Sequence, residues 1–195
     1  MDPSTDRLRR RIQTALEQRD RRTIERHDLV PAAVLLPLLG RPQGVQVLFA
    51  KRSEEVPHHK GQISFPGGVV STADPSRLHT VLREAREEIG LSSETVEILG
   101  SLDDTEATTQ FVVTPFVGLI GSPAQYVPDG KEIERIIEIP LQTLRDPAIF
   151  KVEEWELNGR RRLIYVYHYE GEVIWGVTAR ILKQFLDLVF GEPDE

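Results

Sequence analysis

The chain reads as an α/β protein, an α/β/α sandwich built on a mixed β-sheet. Three observations predict this. Short strand-like apolar runs recur between Leu29 and Tyr169, one amphipathic helix interrupts them near the middle, and a second helix closes the chain from Arg180 to Phe190. With 195 residues, 39% of them hydrophobic, the chain is long enough for one domain with a substantial core.

The elements follow in order. Residues 1 to 28 carry eight Arg against six acids, and Leu8, Ile12 and Leu16 recur at four-residue steps. This predicts a short amphipathic helix, an appendage (1–28) to a domain at 29–191. Asp2, Asp6, Glu17, Asp20 and Glu25 argue against a mitochondrial presequence, which is poor in acids. Such a helix packs on its own domain or on a partner subunit, which leaves a homodimer open. Leu29 to Leu39 is an apolar run that predicts a buried strand, Arg41 to Gly44 a turn, and Val45 to Arg52 an alternating hairpin partner. Val96 to Leu102 is a further strand, Asp103 to Glu106 a polar loop, and Phe111 to Gly118 another strand. After the Pro- and Gly-containing loop 122–131, Glu132 to Glu138 alternates as a strand, and a short helix opens at Leu141. Glu153 to Tyr169 reads as a hairpin turning at Asn158-Gly159. Tyr165, Tyr167 and Tyr169 line one face of its second strand, a stripe that serves packing more often than base stacking.

Composition excludes several classes. There is no cysteine, hence no disulfide framework and no thiolate chemistry, in keeping with a cytoplasmic location. The longest apolar run, 32–39, contains Pro37 and is too short to span a bilayer, and no apolar signal core precedes it, so no membrane partner is expected. A net charge of −7 argues against nucleic acid as a partner. An acidic protein still takes an anionic substrate where metal ions and a few local Arg or Lys residues compensate.

The functional signal lies between Gly61 and Leu91, GQISFPGGVVSTADPSRLHTVLREAREEIGL. A Pro-Gly-Gly turn and a loop broken by Pro75 lead into a helix from about Ser76, with Leu78, Leu82, Ala85 and Ile89 as its apolar stripe. Glu84, Glu87 and Glu88 stand at i, i+3 and i+4 and share the other face, where like charges repel. Three carboxylates beside a glycine turn make sense around a divalent cation, and hard oxygen donors suit Mg²⁺ or Mn²⁺.

Residues 83–91, REAREEIGL, with Gly68 upstream, resemble the Nudix box, Arg-Glu-apolar-x-Glu-Glu-x-Gly-apolar. One departure stands out: the box has Glu after five intervening residues from its first Gly and Arg after seven more. This chain has Asp74, then eight residues before Arg83. Within that family, LFAKRSEEVPHHKGQISFPGG (48–68), the Phe111 to Pro115 segment and the Trp175 to Ala179 segment are similar to the coenzyme-A diphosphatase branch, although Pro57 stands where that branch carries a basic residue. The resemblance covers about residues 30 to 190. It implies a Nudix-type fold and a divalent-metal-dependent hydrolase. Metal ligands would be Glu84, Glu87, Glu88 and the Gly67 carbonyl, and Arg83 would orient the carboxylates through Glu87. The family's base lies outside the box at a variable position, and Glu132, the carboxylate opening a strand after a long loop, is the candidate here, with Glu134 and Glu106 as alternatives. The substrate would be coenzyme A or a derivative, split to 3′,5′-ADP and 4′-phosphopantetheine, with Arg52, His59 and Lys60 as candidate basic partners for its 3′-phosphate. An ADP-ribose or nucleoside-triphosphate hydrolase is the alternative enzyme, and a catalytically silent ligand sensor the alternative class.

Overall fold

The computed structural model describes residues 3–56, 59–107, 110–121, 125–157 and 159–191. Pro57 and Asn158 lie outside them. Strand β1 (Val30–Arg41) is the spine of an eight-stranded mixed sheet. It pairs in parallel with β7 (Phe111–Ile120), from Val30 opposite Phe111 to Leu39 opposite Ile120. Its second half pairs antiparallel with β2 (Gly44–Arg52), its first half with β4 (Gly67–Val69). Strands β3 (Ile63–Ser64) and β8 (Ile133–Pro140) flank β2, while β5 (Val96–Ser101) and β6 (Thr105–Glu106) flank β7. Three strands, β9 (Phe150–Leu157), β10 (Arg160–Tyr169) and β11 (Glu172–Trp175), form a separate antiparallel sheet.

β1 is a continuous apolar run because both of its faces are buried. Ala33, Leu35 and Leu39 face one core with Val81, Ala85 and Ile89 of helix α2 (Arg77–Ile89). Leu36 and Leu38 face the other core with Leu182 and Phe185 of helix α4 (Gly176–Phe190) and Ile12 of helix α1 (Pro3–Glu17). These layers make the α/β/α arrangement. Ile12 is fully buried, and Arg9 pairs with Glu97 of β5 at 2.6 Å, so α1 packs on the body of its own chain.

Two local expectations are corrected. The closing helix starts at Gly176, not Arg180, because Gly176 takes the left-handed conformation that turns the chain directly out of β11. Residues 103–106 are not a plain polar loop: Asp104 and Thr105 are buried, and Thr105 opens strand β6. The short helix at Leu141 is α3 (Leu141–Leu144). Tyr167 is buried against Phe150 while Tyr165 is exposed, so the tyrosine stripe is core packing at one end only. No helix among the described residues is long and apolar enough to cross a membrane.

Candidate active site

Helix α2 carries the acidic face, and its ends are fixed by its own sequence. The Ser76 hydroxyl accepts from the His79 amide at 3.1 Å as the N-cap. Gly90 ends the helix in the left-handed region, its amide bonded to the Arg86 carbonyl. Glycine at the helix end is therefore a backbone requirement.

The opposing wall is the turn Pro66-Gly67-Gly68. Gly67 has φ of 151°, and a Cβ there would lie 2.2 Å from the Ala33 carbonyl oxygen. At Gly68 a Cβ would lie 2.5 Å from Glu84 Oε1. Only glycine lets the turn press on β1 from one side and receive the Glu84 carboxylate from the other.

Into this cradle the helix turns two carboxylates. Glu88 is buried, and its Oε2 accepts from the Gly67 amide at 3.0 Å. Burial pushes its pKa up to about 8; the Gly67 amide opposes this, and the negative charges of Glu84 and Glu132 add to it. Burial likewise raises Glu84, against the pull of Arg83. Glu87 leans outward, 58% exposed, and meets Arg83 Nη1 at 3.0 Å; the same nitrogen is 2.9 Å from Glu84. Asp74, whose place in the pattern was off by one residue, is bound to Arg83 by two hydrogen bonds of 3.1 and 3.0 Å and also accepts from Thr80. Those bonds, Arg83 first, hold its carboxyl far below the usual range.

The other site residues come from β2, β8 and the turn before β3. Arg52, at the end of β2, places Nη2 3.2 Å from Glu132 and Nη1 3.9 Å from Glu88. Glu132 itself is set by Asp129, whose carboxylate accepts from the amides of Lys131, Glu132 and Ile133. Of the three candidate bases, Glu132 is the one whose charge is felt by Glu84 and Glu88. Glu106 is taken up by Arg26 at 3.2 Å, and Glu134 is exposed on β8. His59 and Lys60 are exposed on the turn before β3; His59 bonds Gln62, whose carbonyl accepts from the Arg52 amide, so the turn and Arg52 are adjacent. Lys51 points elsewhere, to Glu172 at 3.0 Å, tying β2 to the second sheet.

Sequence reasoning missed Asp104. Its side chain, 1% exposed, accepts from Thr114, Arg77 and the Ile24 amide and pairs with Arg21. It joins the N-terminal segment, β7 and the first turn of α2. Its signal was an acid pair within a stretch too polar to look buried.

Among the described residues no three acidic or histidine side chains are already closed around one point. Arg83 holds Glu84 and Glu87, and Arg52 faces Glu88 and Glu132. Yet a buried carboxylate with raised pKa, two acidic neighbours and hard oxygen donors on a glycine turn are the donor set that a divalent cation could satisfy.

The mixed sheet covered on both faces and the acidic helix held against a Gly-Gly turn fit the resemblance drawn from the sequence, and comparison with known proteins defines the class: phosphoanhydride hydrolases. The model of the NUDIX domain matches residues 29–169. The chain belongs to the Nudix family and is a hydrolase of the pyrophosphohydrolase type, a family that uses divalent metal ions. It is 34% identical over 167 residues to an uncharacterized Nudix hydrolase NudL of Pectobacterium atrosepticum, covering 86% of each chain. It is 34% identical over 158 residues to the NudL of Photorhabdus laumondii, covering 81% of this chain and 84% of the relative. A MutT/nudix family protein of Enterococcus faecalis shares the fold at a TM-score of 0.51 and 16% identity, over 97% of this chain and 75% of that one.

Proposed function

We propose that the protein splits the diphosphate of coenzyme A or a derivative into 3′,5′-ADP and (acyl-)4′-phosphopantetheine, in the cytoplasm. The hydrolytic part rests on one observation, the packing of Glu84 and Glu88 against Gly67-Gly68 with Glu132 beside them. Glu84, Glu87, Glu88 and the Gly67 carbonyl would hold Mg²⁺ or Mn²⁺, which would neutralise diphosphate charge and acidify water when bound. Glu132 accepts the proton of the attacking water as its oxygen bonds to phosphorus and the bridging P–O bond breaks. Arg83 keeps Glu84 and Glu87 oriented through its planar fork. Arg52, beside Glu88 and Glu132, would contact the substrate phosphates, with His59 and Lys60 on the adjacent turn at the rim.

The substrate class is supported by three segments similar to the coenzyme-A branch, 51–68, 111–115 and 175–179. Steady-state kinetics over coenzyme A, ADP-ribose, NADH and dNTPs test it. Coenzyme A should give the highest kcat/KM. A higher value for ADP-ribose or a dNTP would overturn the substrate and leave the hydrolase standing.

A further inference from the structure

We infer that His79 and Thr80 are positioning residues of the hydrolytic site: by clamping Asp74 they set Arg83, and through it Glu84 and Glu87. The inference rests on the reading of Glu84 and Glu87 as metal ligands.

Asp74 is one methylene shorter than the glutamate of the Nudix box and stands one residue further from Arg83. A shorter side chain on a longer loop leaves its carboxylate free to turn unless other groups fix it. Here the Asp74 side chain is 2% exposed, and donors from three directions converge on it. Oδ1 accepts from Arg83 Nε at 3.1 Å and from His79 Nδ1 at 3.0 Å. Oδ2 accepts from Arg83 Nη2 at 3.0 Å, from the Thr80 hydroxyl at 2.9 Å and from the Ser71 amide at 3.1 Å. An ionised carboxylate only accepts, so His79 Nδ1 carries the proton of its bond. The Thr80 hydroxyl is fully buried and lies nearer to Asp74 than to the Ser76 carbonyl, at 3.3 Å.

The helix carries this clamp to the metal face. His79, Arg83 and Glu87 follow one four-step row of α2, and Thr80, Glu84 and Glu88 follow the next. Asp74 bonds the first member of each row. A guanidinium is a rigid plane, so holding Nε and Nη2 fixes the direction of Nη1. Nη1 is the nitrogen that meets Glu84 at 2.9 Å and Glu87 at 3.0 Å. If the Asp74 carboxylate turns, the Arg83 plane turns with it, and Glu84 and Glu87 lose their common partner. Groups that orient metal ligands from outside the coordination shell are worth about 10–100-fold in metal affinity or activity.

The test is titration of the full chain with Mn²⁺, the free ion being followed by electron paramagnetic resonance, with kcat and KM for coenzyme A measured alongside. His79→Ala and Thr80→Val should each weaken Mn²⁺ binding by about tenfold and lower kcat by a similar factor, with KM within about twofold. His79→Asn, whose amide nitrogen falls where Nδ1 stands, and Thr80→Ser keep a donor to Asp74 and should restore both. In an Arg83→Ala background neither His79→Ala nor Thr80→Val should have a further effect, because their path runs through Arg83. Melting curves check that each variant folds; His79, being 53% exposed, decides if Thr80→Val does not. Unchanged Mn²⁺ affinity and kcat in His79→Ala, equal losses in His79→Ala and His79→Asn, or full losses that persist without Arg83 overturn the positioning role. A wild-type chain that binds no Mn²⁺ overturns it together with the ligand reading. Mn²⁺ affinities that follow the expected pattern in a chain that does not split coenzyme A keep the positioning role and remove the substrate.

Discussion

Arg83 and Asp74 are joined by two hydrogen bonds, Nε to Oδ1 at 3.1 Å and Nη2 to Oδ2 at 3.0 Å, while the remaining nitrogen, Nη1, reaches Glu84 and Glu87. One guanidinium thus ties the loop before the helix to two carboxylates on it. The extra residue between Asp74 and Arg83 is absorbed by the loop and the Ser76 cap, and the shorter Asp still reaches. Lysine has no fork with which to hold both sides. Arg83→Lys should lower kcat by about tenfold or more, since misplaced catalytic groups are costly. Near-wild-type turnover would rule out the orienting role.

Glu88 gives a stability prediction with a definite sign. Its folded pKa is raised to about 8 from an ordinary 4.5, so the folded state binds the extra proton between those values. Stability of the metal-free protein should therefore fall as pH rises from about 5 to about 8. Glu88→Gln removes the titration, and its melting temperature should exceed that of the wild type by a margin that widens over this range. Added Mg²⁺ or Mn²⁺ should stabilise the wild type and not the variant. A margin independent of pH would contradict the buried, unmet charge.

Asp104 tests the N-terminal segment. Burial pushes its carboxyl up, but the bonds from Thr114, the Ile24 amide and Arg21 prevail and hold it below 3.8. Its contribution is present above that value and is lost as pH falls through the lower folded pKa. Asp104→Asn leaves the partly exposed Arg21 and Arg77 without their shared charge and should cost about 1–3 kcal/mol. Limited trypsin digestion should then cut faster at Arg19, Arg21 or Arg22 than in the wild type. Unchanged digestion and melting would show that the segment is held by α1 packing alone.

Legibility in the sequence followed the range of the interactions. The α2 periodicity, its Ser76 cap and the Glu84–Glu88 spacing are local, and the helix stands where the pattern put it. β1 was legible because burial on both faces leaves an unbroken apolar run. The split into two sheets was not, since alternation marks a strand without naming its partner. Asp104 was hidden for the same reason: its partners Arg21, Arg77 and Thr114 lie 83, 27 and 10 residues away in the chain. The start of α4 was missed because a Trp-Gly pair looks like a strand end, and the helix begins on the glycine itself.

The last prediction concerns the base. The sequence favours Glu132, the carboxylate that opens a strand after a long loop, with Glu134 and Glu106 as alternatives. In the fold, Glu132 faces Arg52 at 3.2 Å and acts on both Glu84 and Glu88, Glu134 is exposed, and Glu106 is paired with Arg26. A positioned base contributes about 10²–10⁴-fold to a proton transfer. Glu132→Gln keeps the size and a hydrogen bond to Arg52 but cannot take a proton. It should lower kcat by about two orders of magnitude or more, leave KM within a few-fold, and flatten the acid limb of the kcat–pH profile. Glu134→Gln and Glu106→Gln should stay close to wild type in both. If Glu132→Gln instead raised KM at constant kcat, the residue would be holding Arg52 for substrate binding, and proton transfer would have to be sought on another side chain. A profile that keeps its acid limb in all three variants would leave none of these carboxylates as the base.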